Sequence, residues 1–232
     1  MINMCKKNVK IVMENGGLNV IGIEVFFALL FVAGINGIEE IMSVYTAAII
    51  RSLGAYYLGV NAMILSVIVI GVLNRVDREN SINQVILSDG IKSYEIVFSR
   101  FFSTMFILYI AIAAQFIFMC VYCNVSKGEV VKLDLHLLIS CFLFFPIVVM
   151  AINGVAILLL LISRKASFLL FVVQFGLSTT LMILGIGNLS GEFKVNLEMT
   201  IIATIISLFV NVGVFIISKR IPNELIVIAD TK

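Results

Sequence analysis

Residues Phe168–Leu177 read FLLFVVQFGL, an apolar run interrupted by a single amide, Gln174. A strand of a membrane barrel alternates polar and apolar residues with period two, and this run does not, so it argues for a helix. The rest of the chain says what solvent surrounds it. Of 232 residues, 61% are hydrophobic and 13% charged, against about 45–50% and about 25% in ordinary soluble domains. Mean hydropathy is +1.15. A soluble fold has no place to hide that much apolar surface, so most of the chain is solvated by lipid. In hydrocarbon each backbone N–H and C=O must be paired within the protein, which a helix achieves by itself. Two prolines in the whole chain leave long helices unbroken. The expected fold class is all-α integral membrane protein.

A crossing needs about 20 apolar residues. Six runs qualify: 18–38, 54–73, 101–123, 137–162, 168–187 and 199–218. Little chain is left outside them, so a single transmembrane domain is expected. Cytoplasmic segments are enriched in Lys and Arg. With the N-terminus inside, twelve of the sixteen basic residues fall on the cytoplasmic side. Both termini are therefore expected in the cytoplasm, as are the loop 74–100 and the tail 219–232.

Residues 1–17 place Ile2, Cys5, Val9, Val12 and Met13 on one helical face, with Lys6, Lys7 and Lys10 elsewhere. That pattern predicts an interfacial helix whose lysines meet anionic headgroups, with a frayed tail as the alternative. Lysines followed by Glu14, Asn15, Gly16 and Gly17 do not make a cleavable signal. The tail 221–232 reads as a docking strand or as unstructured chain.

Catalytic chemistry finds little footing. No G-x-x-x-x-G-K-[ST] phosphate loop occurs, and a single histidine, His136, excludes H-E-x-x-H. Glu39-Glu40 resembles the opening of intramembrane prenyl-protein proteases, but no Arg follows at their spacing and the further His ligands are missing. Cys120 and Cys123 form a C-x-x-C inside an apolar run without a second pair, and read as small membrane residues. The chain is expected not to be an enzyme and to bind no metal.

Polar residues inside the runs are the candidates for a substrate path: Glu24, Asn61, Gln115, Asn153, Gln174 and Asn211. A carboxylate in hydrocarbon is costly unless paired or wet. Glu24 either sits near the cytoplasmic interface bound to a base such as Lys10 or Arg164, or lines a pathway for a cationic or amphipathic substrate. The amides also serve as glue between helices. Gly54 and Gly59, and Gly176 and Gly185, permit close helix approach.

The one long charged stretch is Asp77–Arg100, DRENSINQVILSDGIKSYEIVFSR. Ile82, Val85 and Ile86, then Ile91, Tyr94 and Phe98, recur at helical spacing. Ser88-Asp89-Gly90 between them is a turn signal, with Asp89 able to cap the next helix. The stretch predicts helix, sharp turn, helix, with an apolar face on the membrane surface or in a partner's groove. A solvated connector tying spans two and three together is the plain alternative.

This stretch resembles the cytoplasmic loop of ABC-2 type transporter permeases. Asp77, Arg78 and Glu79 match a charged opening, and Val85, Ile86 and Leu87 an apolar helical turn. Ile91, Lys92 and Ser93 follow the turn, Glu95 and Ile96 match an acidic–apolar pair, and Arg100 stands where the family often has Lys. Ser81-Ile82 replaces the family's Gly-Thr, and Gly90 its turn proline. The layout is similar to that of bacterial permeases exporting bacteriocins or peptide toxins. The resemblance implies a permease in the bacterial cytoplasmic membrane, paired with a second permease copy or paralogue. It implies docking of a separate ATPase, which holds the ATP and Mg2+, through Asp77, Arg78, Glu79, Val85, Ile86, Leu87, Gly90, Ile91, Lys92, Tyr94 and Glu95. It implies an amphipathic peptide-like substrate and no nucleic acid. An ion-gradient-driven transporter and a non-transporting immunity or sensor component remain the alternatives.

Overall fold

The computed structural model describes residues 2–42, 45–80, 82–133, 135–163, 172–174, 176, 197–223 and 226. Among them the elements are helices: α1 (Ile2–Met42), α2 (Thr46–Glu79), α3 (Ile82–Ser88), α4 (Ser93–Lys127), α5 (Leu135–Ile139), a π-helical turn (Ser140–Phe144), α6 (Phe145–Ile162) and α7 (Leu197–Arg220). Among the described residues, five helices are long and apolar enough to cross a bilayer, the α5–π–α6 rod counting as one. This is a multi-pass, all-helical membrane protein. Of the expected fifth run, 168–187, all but residues 172–174 and 176 lie outside the described residues, as do Arg164, Lys165, Gly185 and most of the tail.

Side-chain contacts fix the directions of the helices. The inner end is the one where α1 and α4 begin. There Asn8 Nδ2 donates to Ser99 Oγ at 2.9 Å. At the outer end Lys127 Nζ meets Glu39 Oε2 at 2.6 Å, so α1 and α4 run parallel. α2 returns antiparallel to both. It meets α1 through Gly16 and Val72, and α4 through the Asp77–Arg100 ion pair. α6 runs parallel to α2: Tyr56 packs edge to face on Phe145, and Arg78 Nη2 donates to Leu160 O at 3.0 Å. α7 also ends at the inner face, where Ser93 Oγ donates to Ile221 O at 3.1 Å. Both chain ends of the described bundle therefore sit at one end, and α6 and α7 are parallel.

α2 is the central helix: 72% of its apolar window is buried, against 22% in α1 and 17% in α7. Lipid tails are as apolar as leucine, so close packing and polar ties hold such helices together. A Cβ on Gly59 would lie 2.6 Å from the Phe145 ring, and one on Gly16 2.7 Å from a Val72 methyl. Gly59 therefore supports the expected close approach. Gly54 makes only ordinary contacts, and Gly176 meets nothing within 4 Å.

The π turn has a local cause. Pro146 has no N–H, so the carbonyl of Phe142 loses its helical donor, and the preceding turn widens with Phe145 N bonding Ser140 O. Tyr109 Oη donates to the Phe142 carbonyl at 3.3 Å.

Two expectations need correction. Residues 1–17 are not a separate interfacial helix: α1 runs unbroken from Ile2 to Met42. Its early face packs on protein. Val12 is fully buried, while Ile2 and Met13 are exposed, because Cys5 and Asn8 bond the serines of α4. The boundaries of the stretch 74–100 also shift, since α2 continues to Glu79 and α4 begins at Ser93. The expected second loop helix is the opening of α4. The expected helix–turn–helix is present as α3, the turn and α4.

Candidate functional site

Two places gather the sequence-expected residues: the inner end around α3, and the polar positions within the bundle.

At the inner end α3 stops at a glycine. Gly90 has φ +79°, in the left-handed region that side chains other than Gly and Asn avoid. Gly90 N–H bonds Leu87 O at 3.1 Å and Ile91 N–H bonds Ile86 O at 3.3 Å. This is the paired pattern that closes a helix at a left-handed residue. Asp89 does not cap α4. Lys92 is the capping position, and the Glu95 carboxylate accepts the Lys92 N–H at 3.4 Å. The Gly90 turn starts α4 three residues past Asp89, at the Lys92 cap, which removes the aspartate from that role. Ile82, Ile86, Leu87 and Ile91 lean on the core. Val85 is 57% exposed, and Ser88, Asp89, Gly90 and Lys92 are exposed with it.

The expected docking residues split accordingly. Asp77 is not on the rim: its carboxylate pairs with Arg100, and both side chains are 5% exposed. A buried carboxylate persists only when so compensated. Arg78 is also turned inward, its guanidinium on the last turn of α6 where unpaired carbonyls collect. Glu79 stays outside, one turn from Arg75 at 4.0 Å. Tyr94 is half-buried beneath Lys219, whose ammonium lies 5.9 Å from the ring centroid. The surface left for a partner is Val85, the turn and Lys92, with Glu79 and Glu95 beside it.

Within the bundle the amides form two groups. In the first, Asn61 Nδ2 donates to both Glu24 carboxylate oxygens at 3.2 Å, and Gln115 Nε2 donates to the Glu24 carbonyl at 2.6 Å. Tyr57 Oη donates to the Phe27 carbonyl one turn away. Glu24 stands sixteen residues from Asn8 and fifteen from Glu39, about 24 and about 22 Å along a helix. It is thus mid-bundle rather than near the interface. Its partners are amides and not Lys10, which pairs with Glu14 at 3.6 Å; Arg164 lies outside the described residues. In the second group Gln174 Nε2 donates to Asn153 Oδ1 at 3.2 Å and Ser66 Oγ at 3.3 Å. Asn211 joins neither. Its amide donates to Ser207 O at 2.9 Å, and its Oδ1 has no partner.

Comparison with family models, curated proteins and solved structures finds no match for this chain.

Sequence reasoning missed several partners. Ser99 and Ser103 tie α4 to Cys5 and Asn8. Glu129 Oε2 accepts the Ala47 N–H at 2.8 Å, placing a carboxylate at the start of α2 where the helix dipole favours it. Glu39 belongs to an outer cluster: Lys127 also reaches Asn36 Oδ1 at 2.9 Å. The hydrogen bond to Glu39 holds the Lys127 ammonium above the ordinary lysine range. Serine hydroxyls in apolar runs give no periodic signal, so no sequence pattern distinguished them. Cys120 and Cys123 sit as separate thiols in apolar packing on α4.

Proposed function

We propose that this chain is the membrane subunit of an ATP-driven exporter of the ABC-2 permease type. The observation that carries the reading is α3: a short helix seated on the bundle by one face and uncovered on the other. It is joined at its two ends to α2 and α4. A push on its free face passes directly to α2, the most buried helix, and to α4, clasped to α2 by the Asp77–Arg100 pair. A separate ATPase subunit holding ATP and Mg2+ docks there, and two permeases, identical or paralogous, enclose the path.

Parallel α6 and α7 support six crossings, since the chain from Ser163 to Leu197 must join opposite ends of the bundle. With the basic residues concentrated at the inner end, both termini are cytoplasmic in this reading, and the bacterial cell membrane is the location. The substrate is an amphipathic peptide, for which Glu24, Asn61 and Gln115 offer polar contacts midway. The test is peptide flux in vesicles carrying the chain with its ATPase. Flux that needs ATP and ignores a protonophore supports the proposal. Flux without nucleotide that a protonophore abolishes contradicts it in favour of a gradient-driven transporter.

A further inference from the structure

A cavity of about 430 Å³ lies between α4, α6 and α7 towards the inner end, within the about 300–1,000 Å³ typical of small-molecule sites. Phe98, Phe101, Phe102, Met150 and Phe215 give it apolar walls, and Asn211 is the polar side chain in the lining. A second cavity of about 530 Å³ is lined by Lys92, Ser93, Tyr94 and Lys219 among others, with no acidic residue.

The two are neighbours, one helical turn apart along α4 and α7. On α4, Tyr94 lines the second cavity and Phe98, one turn on, the first. On α7, Lys219 lines the second and Phe215, one turn back, the first. The Phe98 and Phe215 rings meet edge to face at 4.9 Å. The Lys219 ammonium is 4.2 Å from the Phe215 centroid, an aromatic seat that fixes a cation beside the first cavity. Among the described residues no carboxylate pairs with the side chain of Lys92 or Lys219.

An apolar slot beside two ammonium groups that no carboxylate pairs with among the described residues is the complement of an anionic amphiphile. A peptide would bring backbone N–H and C=O groups into walls that offer only Asn211 to satisfy them. An acyl chain brings none. Basic pockets between membrane helices hold lipid phosphates by the same charge logic. We propose that the α4–α7 groove binds an anionic phospholipid, with an acyl chain among the phenylalanines and the phosphate between Lys92 and Lys219. Lys92 also borders the surface around α3, but the lipid site does not depend on the transport reading, since a non-transporting protein would keep it.

The chain has no tryptophan, which makes single reporters clean. Full-length protein carrying Phe215→Trp is reconstituted in nanodiscs with brominated phosphatidylglycerol or brominated phosphatidylcholine, and quenching is titrated. The expected result is association of phosphatidylglycerol about tenfold or more tighter than phosphatidylcholine, falling to within about twofold in Lys92→Gln/Lys219→Gln and retained in Lys219→Arg. Phe209→Trp, on a side chain 74% exposed, serves as the bulk-lipid reference and is quenched equally by both. Equal quenching at Phe215→Trp, or a preference that survives loss of both lysines, overturns the proposal.

Discussion

The Asp77–Arg100 pair shows how a single residue changes meaning between sequence and structure. In the sequence Asp77 opens a charged stretch and reads as a rim residue. In the bundle it is an internal carboxylate whose cost is met by one guanidinium. Removing one partner of a buried pair leaves an uncompensated charge and costs about 3–5 kcal/mol, while replacing both with apolar groups is often near neutral. Arg100→Met is therefore expected to lose about that much stability by detergent-denaturation titration, and Asp77→Leu/Arg100→Met to recover most of it. Equal losses in the single and double variants would refute the pairing. The sequence reports that both charges exist twenty-three positions apart, and carries no local signal that they meet.

Close approach is the other matter settled atom by atom. Gly59→Ala pushes a methyl into the buried Phe145 ring, and overpacking of this kind costs about 1–3 kcal/mol. Gly34 has nothing within 4 Å, so Gly34→Ala should leave the same titration unchanged. Both glycines look alike in sequence, and only the helix opposite distinguishes them.

Among the elements, the helices were legible because hydrophobic runs of crossing length have few other solutions in lipid. The turn after α3 was legible because Ser88-Asp89-Gly90 is local chemistry. The continuity of α1 was not. Gly16-Gly17 and the lysines suggested an interfacial piece, but a helix tolerates glycines where a neighbour packs closely, as Val72 does on Gly16. The π turn in the fourth apolar run follows from Pro146, and what the sequence did not show is that Tyr109 of another helix bonds the Phe142 carbonyl there. One prediction belongs at this scale. Gly90→Val forces a β-branched residue to φ +79° at a cost of roughly 1–2 kcal/mol or more. Hydrogen exchange over 82–92 should rise in Gly90→Val and change less in Gly90→Asn, which tolerates the left-handed region. Equal exchange in the two variants would mean that the turn does not hold α3.

Among the described residues, the bundle ties two groups of polar side chains together across helices, and α3 at its inner end leaves Val85 and Ser88 exposed. The first property explains why charged and amide residues persist in hydrocarbon: Glu24 with Asn61, and Gln174 with Ser66 and Asn153, each satisfy part of the other's demand. Under the proposed function, the second accounts for the patterned insertion of a chain with no phosphate loop, since the energy would then arrive from another subunit. The most direct test is ATP hydrolysis by the affinity-purified chain together with its ATPase subunit, comparing the native protein with Val85→Glu. That substitution charges the free face of α3 and leaves Asp77, Arg78 and Arg100 in place. Hydrolysis that depends on the chain and falls to the level of the ATPase alone in Val85→Glu is the predicted result, and full hydrolysis retained in Val85→Glu would contradict docking at α3.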